Sequence, residues 1–169
     1  MNETAAAPDS AAVSRFWQDA SVRANFNPAR AYTGMNPTEA LEPPAWSFDG
    51  TREEATAMAE LVTLGLKTAT SASLEDYADA DEALPTAGAL SILCDGEGQP
   101  VALLQTTSVD VVAFDDVSVD FASAEGEGSP SLDAWRERNA RLRGSDVVCE
   151  RFKVLVKRTD GVDSVVRAR

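Results

Sequence analysis

Histidine is absent from this chain of 169 residues. Without an imidazole, Ser-His-Asp and Cys-His nucleophilic catalysis are excluded, and so are most zinc sites. Cysteine is scarce: Cys94 and Cys149 each stand in an apolar stretch, with no C-x-x-C or other ligand spacing. They read as buried thiols rather than metal ligands or a disulfide. No apolar run approaches the roughly 20 residues that a membrane span needs, so no membrane association is expected. Met1–Ser10 lacks the basic start and apolar run of a secretory signal, and the expected location is the cytoplasm. No glycine-rich phosphate loop follows a strand, which leaves out a P-loop or dinucleotide fingerprint. Asp115, Asp116 and Asp120 are near one another, but their spacing suits a loop and a helix cap. No metal and no cofactor are expected.

Positive charge is the last shortage. Lys and Arg number 15 against 28 Asp and Glu, for a net charge of −13. Such a surface repels polyanions, so DNA is not an expected partner. A local RNA contact stays open, because salt confines a charge's reach to about 8–10 Å.

What remains is ordinary globular composition, 44% hydrophobic and 25% charged. The Ala-rich residues 1–12 read as a disordered leader and 13–169 as one domain. An amphipathic stretch runs from Val13 to about Ala24. Asn25 to Ala45 then holds four prolines and one glycine, the composition of an N-terminal arm. Tyr32, Trp46 and Phe48 are placed to pin that arm to the body. Thr51 and Glu54 form a capping box ahead of a helix that puts Ala55, Met58, Ala59 and Val62 on one face. Ser73 caps a short second helix to about Ala80, and Leu84 to Gly88 is a turn. Ala89–Cys94 and Val101–Thr107 read as a hairpin across Asp95-Gly96-Glu97-Gly98. Val109–Phe114 continues after a kink at Ser108, and a helix covers about Ser118–Ala124. Ser129 is the expected cap of the next helix, with Pro130 at its first position. Leu132, Trp135, Asn139 and Leu142 share one face of that helix. Val147–Val156 and Val162–Arg167 close the pattern as strands. Short strands interrupted by helices predict an α+β fold, a small closed or half-closed β-barrel with flanking helices.

Chemistry concentrates at Gly65-Leu66-Lys67-Thr68-Ala69-Thr70-Ser71. A helix runs in, Gly65 stops it, and a lysine and several hydroxyls follow at once. Lys67 is well placed just past the negative end of the helix dipole, and the turn suits an anion or a polar carbonyl. The acidic loop Glu125-Gly126-Glu127-Gly128 sets two carboxylates on a backbone freed by two glycines.

These segments together resemble the ASCH-domain family, a branch of the PUA-like barrel folds. The resemblance is carried by Ala45-Trp46-Ser47-Phe48, by Gly65-Leu66-Lys67-Thr68-Ala69-Thr70 and by Leu84-Pro85. Further along it includes Gln105-Thr106-Thr107, Phe121 to Gly128, Ser131-Leu132 with Trp135-Arg136, and Val147 to Phe152. It implies binding of RNA or a nucleoside-like molecule in a cleft beside the barrel. It also implies a hydrolase in some members, acting on acetylated cytidine or on single-stranded RNA. Carried over by motif, Lys67, Thr70 and Glu127 would be the catalytic residues, with Glu125 the second choice for the glutamate. Thr68, Ser71, Glu125, Trp135 and Asn139 would contact the substrate. Ala72 stands where the family often has arginine, and Asn139 where close relatives have histidine. Only Gly144-Ser145-Asp146 separates the helix from the last long strand, where relatives carry about a dozen more residues.

Hydrolysis needs an attacking oxygen, a proton acceptor and a positive site for the developing oxyanion. Thr70 could supply the oxygen or position a water. A charged Lys67 could serve the oxyanion with Glu127 as base, the division favoured here; Lys67 as base would first have to shed its proton near neutral pH. An ion pair that merely ties two loops, and non-catalytic binding, use the same residues. Either way Lys67, Thr70 and Glu127 are expected to converge at the mouth of one pocket.

Overall fold

Asp9 opens the first helix, four residues before the amphipathic pattern begins. In the computed structural model, which describes residues 3–24 and 41–159, α1 spans Ser10–Arg23 and the Asp9 carboxylate accepts from the Ala12 N–H. Phe16, Trp17 and Ala20 bury its inner stripe. The expected disordered leader is therefore corrected over residues 3–12. Thr4 bridges Thr51, and the Ala5, Ala6 and Asp9 N–H groups donate to Gly50, Gly96 and Gly98 carbonyls at 3.0, 2.8 and 2.9 Å. Small alanines hold such a segment largely through backbone bonds, joined by an ion pair from Glu3 to Arg52, which composition does not display. Most of the N-terminal arm, with Tyr32, and the strand expected at 162–167 lie outside the described residues.

The chain divides into two compact units. One draws on Met1–Ala59, Ser91–Leu103 and Leu155–Arg169, the other on Glu60–Leu90 and Leu104–Val154. In the first, β1 (Ala45–Trp46) pairs parallel with β3 (Leu90–Cys94), Ala45 against Ile92. Trp46 and Phe48 pack edge-to-face at 4.8 Å. The capping box forms as read: the Thr51 N–H donates to Glu54 Oε2 at 2.8 Å and the Glu54 N–H to Thr51 Oγ1 at 3.2 Å. It starts α2, Arg52–Thr63, whose Ala55, Ala59 and Val62 are buried.

In the second unit, β2 (Ala69–Ser73) runs antiparallel to β5 (Asp146–Lys157). Ser73 caps α3, Leu74–Asp79, and Ser118 caps α4, Val119–Ala124. β4 (Pro100–Ala113) passes Ser108 without a break; a single serine does not outweigh strand pairing. The sheet order is β1-β3-β4-β5-β2, with parallel and antiparallel pairs, so the fold is α+β with a mixed sheet and helices. Helix α5 covers Leu132–Arg138 and is capped by Ser131, not Ser129. Ser131 Oγ reaches the Ala134 N–H at 3.2 Å, while the Ser129 hydroxyl turns to Ser131. Pro130 thus precedes the helix. Asn139 ends it, its Nδ2 donating to the Trp135 carbonyl at 3.0 Å. One 3-10 turn at Ala140–Leu142 then delivers Leu142 to a core of Phe114, Phe121, Trp135, Val147 and Cys149. Among the described residues no helix is long and apolar enough to cross a membrane.

Candidate functional site

The end of α2 aims Lys67 inward. Gly65 takes a left-handed φ of 76°, and the Leu66 and Lys67 N–H groups both bond to the Leu61 carbonyl, at 2.9 and 3.0 Å. The next N–H, of Thr68, donates to the Ala124 carbonyl at 2.8 Å, and the Thr68 carbonyl accepts from Phe152 at 3.0 Å. With the backbone held from both sides, the Lys67 side chain is only 1% exposed. A buried ammonium requires partners. Its Nζ donates to Glu127 Oε1 at 2.5 Å and to the Glu125 carbonyl at 3.3 Å. Glu127 is 24% exposed, so the pair has one dry end and one end open to water.

The acidic loop is shaped to meet it. Helix α4 closes with the Glu125 N–H on the Phe121 carbonyl and the Gly126 N–H on the Ser123 carbonyl. Gly126 has φ of 66°, and a Cβ there would lie 2.0 Å from the Leu66 carbonyl oxygen. The two loops therefore touch through bare backbone.

Glu125, read as the second choice for the glutamate and as a substrate contact, is 2% exposed. Its Oε2 accepts from Trp135 Nε1 at 2.7 Å. Burial pushes this carboxyl above its ordinary 4.5; the Lys67 charge and hydrogen bonds from Ser71 and Trp135 oppose the rise, while Glu127 adds to it. Because the folded carboxyl holds its proton more tightly than the unfolded one, stability contributed by Glu125 declines as pH rises above about 4.5 toward the folded value. Glu125→Gln should flatten that part of the curve. The check is the urea midpoint of both proteins from pH 4 upward; equal slopes would contradict it.

The remaining expected residues scatter. Ser71 joins Glu125. Trp135 has no exposed surface and packs on Phe114 at 5.4 Å between ring centres. Asn139 serves its own helix end. Thr68 is exposed, its hydroxyl on the Ala124 carbonyl at 3.3 Å. Thr70 sits directly across from Glu150. Alternation along β2 puts it on the face opposite Ala69 and Ser71, so it does not share the face on which Ser71 meets Glu125. Of the three residues expected to converge, Lys67 and Glu127 are in direct contact.

One group was missed as an acid: Glu150, whose Oε1 accepts from the Thr106 hydroxyl at 2.7 Å. Its signal was a carboxylate directly after the apolar run Val147-Val148-Cys149, within a β-branched strand pattern. Chemically, the Lys67–Glu127 arrangement offers a solvent-facing acceptor backed by a buried positive charge. Among the described residues no group of three or more His, Cys, Asp or Glu is disposed to hold a metal ion.

Comparison with known proteins yields a family model, the ASCH domain, matching residues 44–143. A crystal structure of an Enterococcus faecalis V583 protein is 32% identical, covers 88% of this chain and 95% of its own, and superposes with a TM-score of 0.67. The ASCH domain from Lactobacillus crispatus JV V101 is 26% identical over 79% of this chain and 94% of its own, with a TM-score of 0.63. Among curated protein sequences, none matches. The mixed sheet with flanking helices is that of ASCH structures, a PUA-like half-barrel. With the family model matching more than half of its length, this chain belongs to the ASCH-domain family.

Proposed function

We propose that this ASCH domain binds RNA or a nucleoside-like molecule at the Lys67–Glu127 pair, in the cytoplasm. The observation that carries the reading is the asymmetry of that pair. Lys67 is buried and neutralised, while Glu127 faces water with a lone pair for a ligand N–H or O–H. The pair sits on backbone held by hydrogen bonds to α2, α4 and β5, so its position is set before a ligand arrives.

Binding is local, not charge-driven. A net charge of −13 leaves few cations to meet phosphates. For a single strand, log K falls with log salt at a slope of about −0.7 per phosphate contact. With about two contacts, affinity for a short single-stranded RNA drops less than about tenfold from 50 to 200 mM salt. Gel-shift titration of wild type and Glu127→Gln tests this. The expected result is micromolar or weaker binding, reduced several-fold in the variant. Nanomolar, sequence-independent binding that survives Glu127→Gln would contradict it.

A second reading, hydrolysis, is favoured by the direct contact of carboxylate and ammonium. Glu127 would take the proton from an attacking water or a ribose hydroxyl, and Lys67 would stabilise the developing negative charge. Substrates would be acetylated cytidine or single-stranded RNA. Turnover of either substrate that disappears in Glu127→Gln, with the fold intact, supports this reading. No turnover with binding retained leaves the binding module.

A further inference from the structure

Glu150 lies in the middle of β5, on the strand face that Thr70 shares and Ser71 does not. Its carboxylate is half-buried, and among the described residues Thr106 supplies its hydrogen bond and no Lys or Arg pairs with it. The adjacent Arg151 is engaged elsewhere, with Asp120 at 2.7 Å and over the Phe121 ring. The Thr106 donor is itself buried and immobilised. Its N–H donates to the Ala89 carbonyl at 2.9 Å and its carbonyl accepts from Gly88 at 2.8 Å. Tyr77, from α3, stands close enough to feel the Glu150 charge, which helps burial raise its phenol. Burial also pushes the Glu150 carboxyl above its ordinary 4.5, against the pull of Thr106.

A partly dry carboxylate with one neutral donor is unusual, because buried charges are normally paired. Thr106 fills one acceptor site on Oε1. The ionised group has about four such sites, so a bidentate donor remains free to engage both oxygens. We infer that Glu150 reads a base edge that presents two adjacent N–H donors, the edge found on guanine. Among the common bases, guanine alone offers N1–H beside the N2 amino group. Cytosine and adenine place a ring acceptor next to the amino group, and uracil flanks its N–H with two carbonyls. An acceptor-only carboxylate is repelled by those lone pairs.

The inference rests on the nucleoside- or RNA-binding reading and adds the chemical class of the bound base.

The test is titration of the full chain with guanosine, inosine, cytidine, adenosine and uridine, followed by calorimetry or amide chemical shifts. Inosine lacks only the N2 amino group, so it probes the second donor without altering the protein. Guanosine is expected to bind at least about fivefold tighter than inosine and the other three, the lower end for one bidentate pair. Glu150→Gln, which replaces one acceptor with a donor, should erase that preference while Thr106 keeps an acceptor. Glu127→Gln should leave the guanosine preference in place. Guanosine and inosine binding equally to wild type overturns the guanine assignment and leaves the nucleoside reading standing. No nucleoside bound up to solubility overturns both. Guanosine preference unchanged in a folded Glu150→Gln places the recognition elsewhere and overturns the inference.

Discussion

Lys67→Met is expected to destabilise the fold by about 3 kcal/mol, the lower end for removing one partner of a buried ion pair. An ion pair exposed at a cleft mouth would cost at most about 1 kcal/mol, and the burial of Lys67 is what separates the two figures. Methionine fills most of the lysine stem, so little packing is lost. What is lost is the ammonium beside Glu127 and near the buried Glu125. Glu127 is partly wet and can take water in its place; Glu125, sealed under Trp135, cannot. The lower end of the range follows from that difference. Glu125→Gln in the Lys67→Met background should therefore recover part of the loss, whereas Glu127→Gln should recover less. Urea unfolding of the four proteins measures both terms. A loss below 1 kcal/mol for Lys67→Met would show that the site does not depend on the ammonium.

Gly126→Ala should be comparably severe. A left-handed φ of 66° costs a residue with a Cβ about 1–2 kcal/mol, and the added carbon would sit 2.0 Å from the Leu66 carbonyl oxygen. Relieving that overlap means separating two backbones, since no flexible side chain can give way, and overpacking of this kind costs about 1–3 kcal/mol more. The total expected loss is about 2–5 kcal/mol. The same separation would pull Glu127 from Lys67, so ligand binding should fall with stability. Gly144→Ala is the control. It has a similar φ of 78° with nothing within 4 Å of its would-be Cβ, and should show only the backbone cost. Equal midpoints for the two variants would remove the close approach from the account.

Local signals in the chain were legible because their causes are local. The Thr51–Glu54 capping box, the Gly65 stop, the hairpin at Asp95 to Gly98 and the caps at Ser73 and Ser118 all involve groups within a few residues of one another. Ser129 was read as the cap of the helix after it, but Ser131, two residues further on, holds that position. Asn139 was legible as a polar residue on an apolar stripe, and its role as the end of α5 is also local. Residues 3–12 were misread because their partners are remote: the Gly50, Gly96 and Gly98 carbonyls that hold Ala5, Ala6 and Asp9 lie 45 to 90 residues away.

The sequence by itself determined that this is an α+β chain without histidine chemistry, with an acidic surface and an ordered ASCH motif series. Within that series it also paired Lys67 with Glu127. Composition, periodicity and motif order need no knowledge of which strand lies beside which. The burial of Lys67 and Glu125, the side of β2 on which Thr70 falls, and the exposure of Glu127 were decided only by tertiary structure. Each depends on antiparallel register between β2 and β5 and on contact between two loops 60 residues apart. A shift of one residue in that register would exchange the two faces of β2, moving Ser71 away from Glu125 and Thr70 toward it.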